Sequence, residues 1–363
     1  MSVLYSLQPI SVVFEQEFGI SSTEAGLFMS AALLPLGFGG LVYGYLIEKI
    51  SIRTILFYAF ILLAFFQLIF ALCDSYTLML NIRGLEGLLM PAVMTGLMSY
   101  TAQIVSKENI SSAIGAYIAM AIVGGFLGRL LSGFFTDIYS WKFYIITTAF
   151  ICLLCAILVR TKCQNITASI IKPSFKDIVS VLREKQNLYI YIMIFCLFFV
   201  FQGLLNYIPM RFMQILGDFS GTKTSLLYTG YLLGVLICFN NKRIEKLFGG
   251  AINTIIFGII VSIFSLFIFN IASFSALFVA MLVLCVGNFI AHGTASGFVN
   301  QLATHKGITN GLYLSFYYSG GFLGSFLPAF LFLDFGWWAF LLALGVVCLF
   351  SLFSMVYLKY AYK

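Results

Sequence analysis

GGFLGR, residues 124–129, lies inside an apolar run and ends on a charge; GGFLGS returns at 320–325. Advancing the chain by 196 residues places Gly115 on Gly311, Tyr117 on Tyr313, Gly124 on Gly320, Gly128 on Gly324 and Trp141 on Trp337. Ile47-Glu48-Lys49-Ile50 recurs as Ile244-Glu245-Lys246-Leu247, 197 residues on. Loops and helices share nearly one offset, so the chain reads as two related halves.

Apolar residues make up 61% of the 363 and charged residues 9%, with a mean hydropathy of +1.04. A soluble domain carries roughly a quarter charged residues, so this chain cannot wet its own surface and its solvent is lipid. Only helices and closed barrels satisfy the backbone in hydrocarbon. The apolar runs last about 20 residues, the length of a spanning helix rather than of a barrel strand. The fold class is therefore an all-α polytopic membrane protein. Eleven spans are expected, near 26–47, 54–72, 77–105, 111–135, 142–160, 187–210, 222–240, 250–270, 273–301, 307–332 and 336–358. MSVLYSLQPISVVF, residues 1–14, adds a twelfth. It would rise only about 21 Å against a core of about 30 Å, lacks the basic start of a signal peptide, and is closed by Glu15 and Glu17. A late start or a truncated helix is the expectation.

Placing loops 48–53, 106–110, 161–186, 241–249, 302–306 and the C-terminus on one side gathers fourteen Lys and Arg there, fifteen with Arg160 at the adjoining end of its span, against Lys142, Arg211 and Lys223 opposite. The basic side is expected to be cytoplasmic. This accounts for the net charge of +7 without a nucleic-acid partner. The expected organisation is an N-terminal six-helix bundle over 1–160, a cytoplasmic linker over 161–186 and a C-terminal six-helix bundle over 187–363. Asn165-Ile-Thr167 fits a glycosylation sequon on the wrong side. Cys152 and Cys155 form a C-x-x-C within a helix and without a second pair, so neither metal nor cofactor is expected.

Gly124, Gly128 and Ser132 repeat every four residues, as do Gly320, Gly324 and Pro328. Such small-residue seams let helix backbones approach closely in lipid. They suit helices that close one half against the other, and ordinary packing is the alternative.

Gly44-Tyr-Leu46-Ile-Glu48-Lys49-Ile-Ser51-Ile-Arg53 lies in the loop between the second and third helices. It resembles the G-x-L-A-D-R-x-G-R-R motif of the major facilitator superfamily, with Glu48 for Asp, Lys49 for Arg, Ser51 for Gly and Ile52 for Arg. The resemblance covers nearly the whole chain. It implies two pseudo-symmetric six-helix bundles and gives Glu48, Lys49 and Arg53 a latching role between halves. Arg83-Gly-Leu-Glu86-Gly87 resembles the family's R-x-x-Q-G element. Gly124-Gly125-Phe-Leu-Gly128-Arg129 resembles the antiporter motif G-P-x-x-G-G, with Gly125 for its Pro and Arg129 for its last Gly. Together with Tyr5-Ser-Leu-Gln8-Pro9, Asp137 and Trp141, these elements are most similar to bacterial twelve-helix drug:proton exporters. That similarity implies a monomer in the bacterial inner membrane.

Three charges fall well inside spans: Arg83, Glu86 and Arg129. Such a residue costs about 2.5–3.5 kcal/mol at a helix centre. Arg83 and Glu86 share a helical face. They form either a static pair or a proton-coupling site, since burial raises a carboxyl pKa and a neighbouring Arg lowers it. One acid cannot neutralise two arginines, so Arg129 is either a contact for an anionic solute or a side chain snorkelling to the interface. Gln8, Gln202, Asn206, Asn288, His292, Tyr313 and Tyr317 are polar candidates for a central substrate site, and Gly124, Gly125, Gly128, Gly320 and Gly324 for gating.

With no G-x-x-x-x-G-K-[ST] there is no internal ATP site. Gly293-Thr-Ala-Ser296-Gly297 misses the G-x-S-x-G spacing of a hydrolase elbow. The expected activity is secondary transport by alternating access: proton-coupled export of small amphipathic compounds, or proton-coupled or facilitated uptake of a small solute, neutral or anionic.

Overall fold

The computed structural model describes residues 1–106, 108–167, 175–303 and 306–361. Among these residues every regular element is helical: α1 (Ser2–Tyr5), α2 (Ser11–Phe18), α3 (Ser22–Lys49), α4 (Ile52–Leu72), α5 (Tyr76–Ile104), α6 (Ile110–Ile138), α7 (Trp141–Lys162), α8 (Phe175–Arg183), α9 (Lys185–Leu216), α10 (Gly221–Leu226), α11 (Tyr231–Leu247), α12 (Ala251–Phe269), α13 (Phe274–Leu302), α14 (Lys306–Phe326) and α15 (Ala329–Ala361).

Serine starts many of them. Ser21 forms a capping box with Glu24 at α3, and Ser51, Ser140 and Ser273 accept a first-turn backbone N–H at α4, α7 and α13. Each satisfies a donor that lipid cannot. Gly217 ends α9 at φ 74°, a left-handed conformation that suits glycine.

Among the described residues, eight spans are long and apolar enough to cross a bilayer: α4, α6, α7, α9, α10 with α11, α12, α13 and α15. The other three, α3, α5 and α14, have 28, 29 and 21 residues. Their apolar character is diluted by Gly and Ser and, in α5, by Arg83 and Glu86, which face protein rather than lipid. The chain is a polytopic membrane protein.

The same neighbours recur in both halves. α1 packs on α6 as α9 packs on α14, α3 on α5 as α11 on α13, and α4 on α7 as α12 on α15. The repeated tryptophans do matching work. Trp141 donates to Glu17 Oε2 at 2.6 Å and Trp337 to the Phe269 carbonyl at 2.9 Å, each stapling its half's last helix to an earlier one. The halves meet along α3–α14 and α6–α10/α11, giving two pseudo-symmetric six-helix bundles.

Three elements differ from expectation. The first span is interrupted: α1 and α2 are separated by Ser6–Ile10, where Pro9 lacks an N–H to continue the ladder. The eighth span is a composite of α10, a 3₁₀ turn at Leu227–Gly230 and α11. The boundary between the last two spans falls at residues 327–328, before Pro328 ends its turn, rather than after 332. Gly336, at φ 80°, then bends α15 where a loop was expected. Ser132 stays in its seam on α6, whereas Pro328 lies beyond the end of α14.

Candidate functional site

The interrupted first helix organises the interior polar groups. A helix that stops in lipid leaves its last carbonyls without intrahelical donors, and Arg83 supplies them. Its guanidinium donates to Val3 O at 3.3 Å, Leu4 O at 2.9 Å and Phe28 O at 3.3 Å, and pairs with Glu86 Oε2 at 2.5 Å. Glu86 also accepts from Gln67 Nε2, and Gln67 Oε1 accepts from Thr148 at 2.8 Å. All four side chains are buried. The network joins α1, α3, α4, α5 and α7, and both Glu86 oxygens are engaged within the first half.

Arg129 approaches the same break from α6 and is fully buried. Its Nε donates to Gln8 Oε1 at 2.8 Å, and its terminal nitrogens to Gly125 O at 2.9 Å and Tyr231 Oη at 3.1 Å. The cation lies 4.1 Å from the Tyr5 ring centre, 4.3 Å from Tyr231 and 5.2 Å from Tyr228. Among the described residues, no carboxylate lies within salt-bridge distance of it. Aromatic faces thus take the place of a counterion. Tyr5 and Gln8 come from the first half, Tyr228 and Tyr231 from the second.

An aromatic chain leads onward from Tyr231. Phe201 is 5.7 Å from Tyr231 and 6.1 Å from Phe198. Phe198 stacks on Tyr317 at 3.6 Å, and Tyr317 on His292 at 4.7 Å. His292 Nδ1 shares a 3.0 Å hydrogen bond with Tyr313 Oη. His292, Tyr313 and Tyr317 therefore come together, on α13 and α14. Gln8 Nε2, both polar atoms of Gln202 and Asn288 Oδ1 are buried with no hydrogen-bond partner among the described residues.

Asn206 lies elsewhere. Its amide donates to Ser325 O at 2.7 Å and reaches Gly26 O at 3.5 Å, in the seam between α3, α9 and α14. That seam belongs to a closure at the end of the molecule opposite α8. There Asp137, at the end of α6, accepts from Gly221 N at 2.7 Å, Thr222 N at 2.9 Å and Ser220 Oγ at 3.1 Å, capping α10 of the other half. Ser225 Oγ donates to Arg129 O at 2.8 Å. At this end burial also lifts Glu15, beyond the first apolar run, to about 7, with Ser22 pulling it back through a hydrogen bond.

The repeated glycines pack inside each half. Gly128 lies against the Ser2 backbone, Gly124 accepts from Ser2 Oγ through its carbonyl at 2.7 Å, and Gly320 and Gly324 face the Phe195 and Phe199 carbonyls. Gly125 lies beneath Tyr5, as Gly321 lies beneath Phe198 and Gln202. Close contact between halves instead falls at Gly133 against Gly221 and Ser225, and at Gly26 against Tyr207 and Ser325. Lys49 and Arg53 flank the α3–α4 loop at the α8 end, where Ile52 N donates to Ile166 O at 2.8 Å; the side chain of Glu48 lies outside the described residues.

Sequence reasoning found Arg129 and Gln8, but Tyr228, Tyr231, Phe198 and Phe201 were not among its candidates. The spacing of Tyr228 and Tyr231 was a signal, indistinguishable among 20 tyrosines.

Comparison with known proteins follows this geometry. A transporter of Buchnera aphidicola subsp. Baizongia pistaciae (strain Bp) is 26% identical over 336 residues, covering 88% of this chain and 80% of that protein. Inner membrane transport protein YnfM of Escherichia coli (strain K12) is 30% identical over 141 residues, covering 39% of this chain and 34% of that protein. Among solved structures, the nucleoside transporter NupG superposes with a TM-score of 0.80 at 12% identity, over 100% of this chain and 98% of that chain. An inward-facing, occupied bacterial homolog of the human lysosomal transporter Spinster superposes at 0.75 and 12%, over 99% and 94%. The Major Facilitator Superfamily model matches residues 1–325; with two pseudo-symmetric bundles meeting over a shared interior site, the chain belongs to the Major Facilitator Superfamily of membrane transporters.

Proposed function

We propose that the chain is a monomeric secondary transporter that binds a small amphipathic solute between its halves and moves it by alternating access. The observation that carries this reading is the environment of Arg129: a buried cation held by Tyr5 and Gln8 of one half and by Tyr228 and Tyr231 of the other. Groups supplied by both halves are parted when the halves rock, so binding and conformation are coupled. Discontinuous helices beside polar groups are a recurrent way to build such sites, and the break at Ser6–Ile10 supplies one here.

The basic loops favour an orientation with α8, the linker and the C-terminus in the cytoplasm of a bacterial cell and the closed end facing outward. The resemblance of Arg83-Gly-Leu-Glu86-Gly87 and Gly124–Arg129 to drug:proton exporters favours export coupled to proton entry, each proton contributing about 2.3 kcal/mol per 100 mV. Glu86 is the coupling candidate. It would exchange its proton when the halves rearrange around α1, the helix that Arg83 holds. Lys49 and Arg53, with Glu48, would latch the cytoplasmic face in the alternate state. Uptake of an anionic solute is the second reading, favoured by the lack of a carboxylate beside Arg129 among the described residues.

The test is accumulation of a panel of labelled amphipathic and anionic compounds in cells expressing the chain or its Glu86→Gln variant, with and without a protonophore. Lower accumulation, abolished by protonophore and by Glu86→Gln, is the expected result. Higher accumulation than in empty cells would reverse the direction. Lower accumulation that survives both treatments would remove proton coupling through Glu86.

A further inference from the structure

Resting on the transport reading above, we infer that the solute is a small aromatic monocarboxylate carrying a hydroxyl or amino donor, bound with its carboxylate toward Arg129 and its ring along the Phe198–Tyr317 wall. The charge comes first. A guanidinium has five N–H donors, and those of Arg129 engage only neutral acceptors: Gln8 Oε1, Gly125 O and Tyr231 Oη. Donors remain for a ligand, and the cation lacks a counterion among the described residues. Arg83 is already committed to Glu86 and to three backbone carbonyls. One uncompensated cation sets the ligand's charge at minus one and disfavours polyanions.

The unpartnered amides set the remaining polarity. Gln8, whose oxygen holds Arg129 Nε, has a free amide nitrogen beside the same guanidinium, a second donor to the same anion. Gln202 has neither polar atom partnered, and Asn288 Oδ1 lacks a donor. All three residues are at most 2% exposed. Leaving such groups unpaired is costly, and a ligand bearing both an anion and one hydrogen-bond donor would satisfy them. Gln202 lies with Phe198 across Gly321 in the second half, as Tyr5 lies across the equivalent Gly125 in the first. The two halves thereby offer a charge-binding face and an amide-binding face at matched positions.

The body of the ligand follows from the wall. Phe198, Tyr317 and His292 stack face to face with interplanar angles of 14° and 28°, so the column presents ring edges along its side, continued through Phe201 to Tyr231. Ring edges favour the face of a planar aromatic ring in edge-to-face contact over a branched chain.

The experiment uses the full chain purified in lipid nanodiscs, with binding of radiolabelled para-hydroxybenzoate competed by benzoate, para-hydroxybenzamide, acetate and phosphate. The expected order is para-hydroxybenzoate, then benzoate, with the amide, acetate and phosphate weaker by about tenfold or more. Arg129→Gln should abolish the preference for the acid over the amide, and Arg129→Lys should retain part of it. If Arg129→Gln does not yield monodisperse protein, Asn288→Ala carries the test and must erase the preference for para-hydroxybenzoate over benzoate. Equal binding of acid and amide, acid binding untouched by Arg129→Gln, or a preference untouched by Asn288→Ala overturns the inference. Proteoliposome flux separates it from the transport reading. Acid bound but not moved keeps the inference and removes transport; neutral amphipathic compounds moved while no acid binds keeps transport and removes the inference.

Discussion

Two arginines flank the break in the first helix and resolve the same difficulty in different ways. Arg83 is neutralised by Glu86 and serves backbone carbonyls, so its removal strands a buried carboxylate. Arg83→Ala should cost about 3–5 kcal/mol, read as a lowered unfolding temperature in detergent, whereas Arg83→Met with Glu86→Leu should recover most of that loss. A double variant as unstable as the single one would show that the carbonyl caps, rather than the ion pair, dominate. Glu15 gives a pH test. Its carboxyl is raised to about 7 in this closed form from an ordinary 4.5, so closure takes up a proton if opening solvates it. The gain is then full below about 4.5, fades as pH rises through about 7, and disappears in Glu15→Gln. Labelling of a cysteine at Thr23 across that pH range measures it; a profile unchanged by Glu15→Gln would exclude Glu15. At this scale the sequence exposed the charges themselves, because Arg83, Glu86 and Arg129 interrupt apolar runs. It did not expose their surroundings, since the rings around Arg129 come from α1, the 3₁₀ turn at Leu227–Gly230 and α11, set by packing between distant segments.

At the scale of elements, the repeat predicts related helices but not equal tolerance. A methyl group on Gly124 would meet only Met1 and Ser2 side-chain atoms at 3.7 Å, whereas on Gly320 it would strike the Phe195 backbone. Gly124→Ala should therefore stay within about 0.5 kcal/mol of the parent and Gly320→Ala should lose about 1–3 kcal/mol, compared by thermal unfolding in the same detergent. Equal effects would mean that α9 and α14 are free to separate. The Asp137 cap on α10 is the clearest link between halves. Asp137→Asn removes a charged acceptor from a helix start, worth about 0.3–1 kcal/mol. It should speed labelling of a cysteine at Ser225 by about two- to fivefold. Spans, glycine seams and paired tryptophans were legible because apolar length and a shared offset survive in one sequence. The break at Pro9, the 3₁₀ turn before Tyr231 and the bend at Gly336 were not, since local propensity alone does not say whether an interruption ends a helix or bends it.

For the whole molecule, the offset between halves carries the architecture. α6 closes on α10–α11 as α14 closes on α3, one interface type used twice, and the seal lies at the end opposite α8. The alternating access proposed above requires a second form in which that seal is open and Arg129 is parted from Tyr231. The most direct measurement places spin labels at Tyr139 and Lys223, exposed residues on the two sides of the seal, and reads the distance distribution in nanodiscs between pH 5 and 8 and with para-hydroxybenzoate. Alternating access predicts a short and a longer population whose balance shifts with pH or solute. A single short distance under every condition would contradict it.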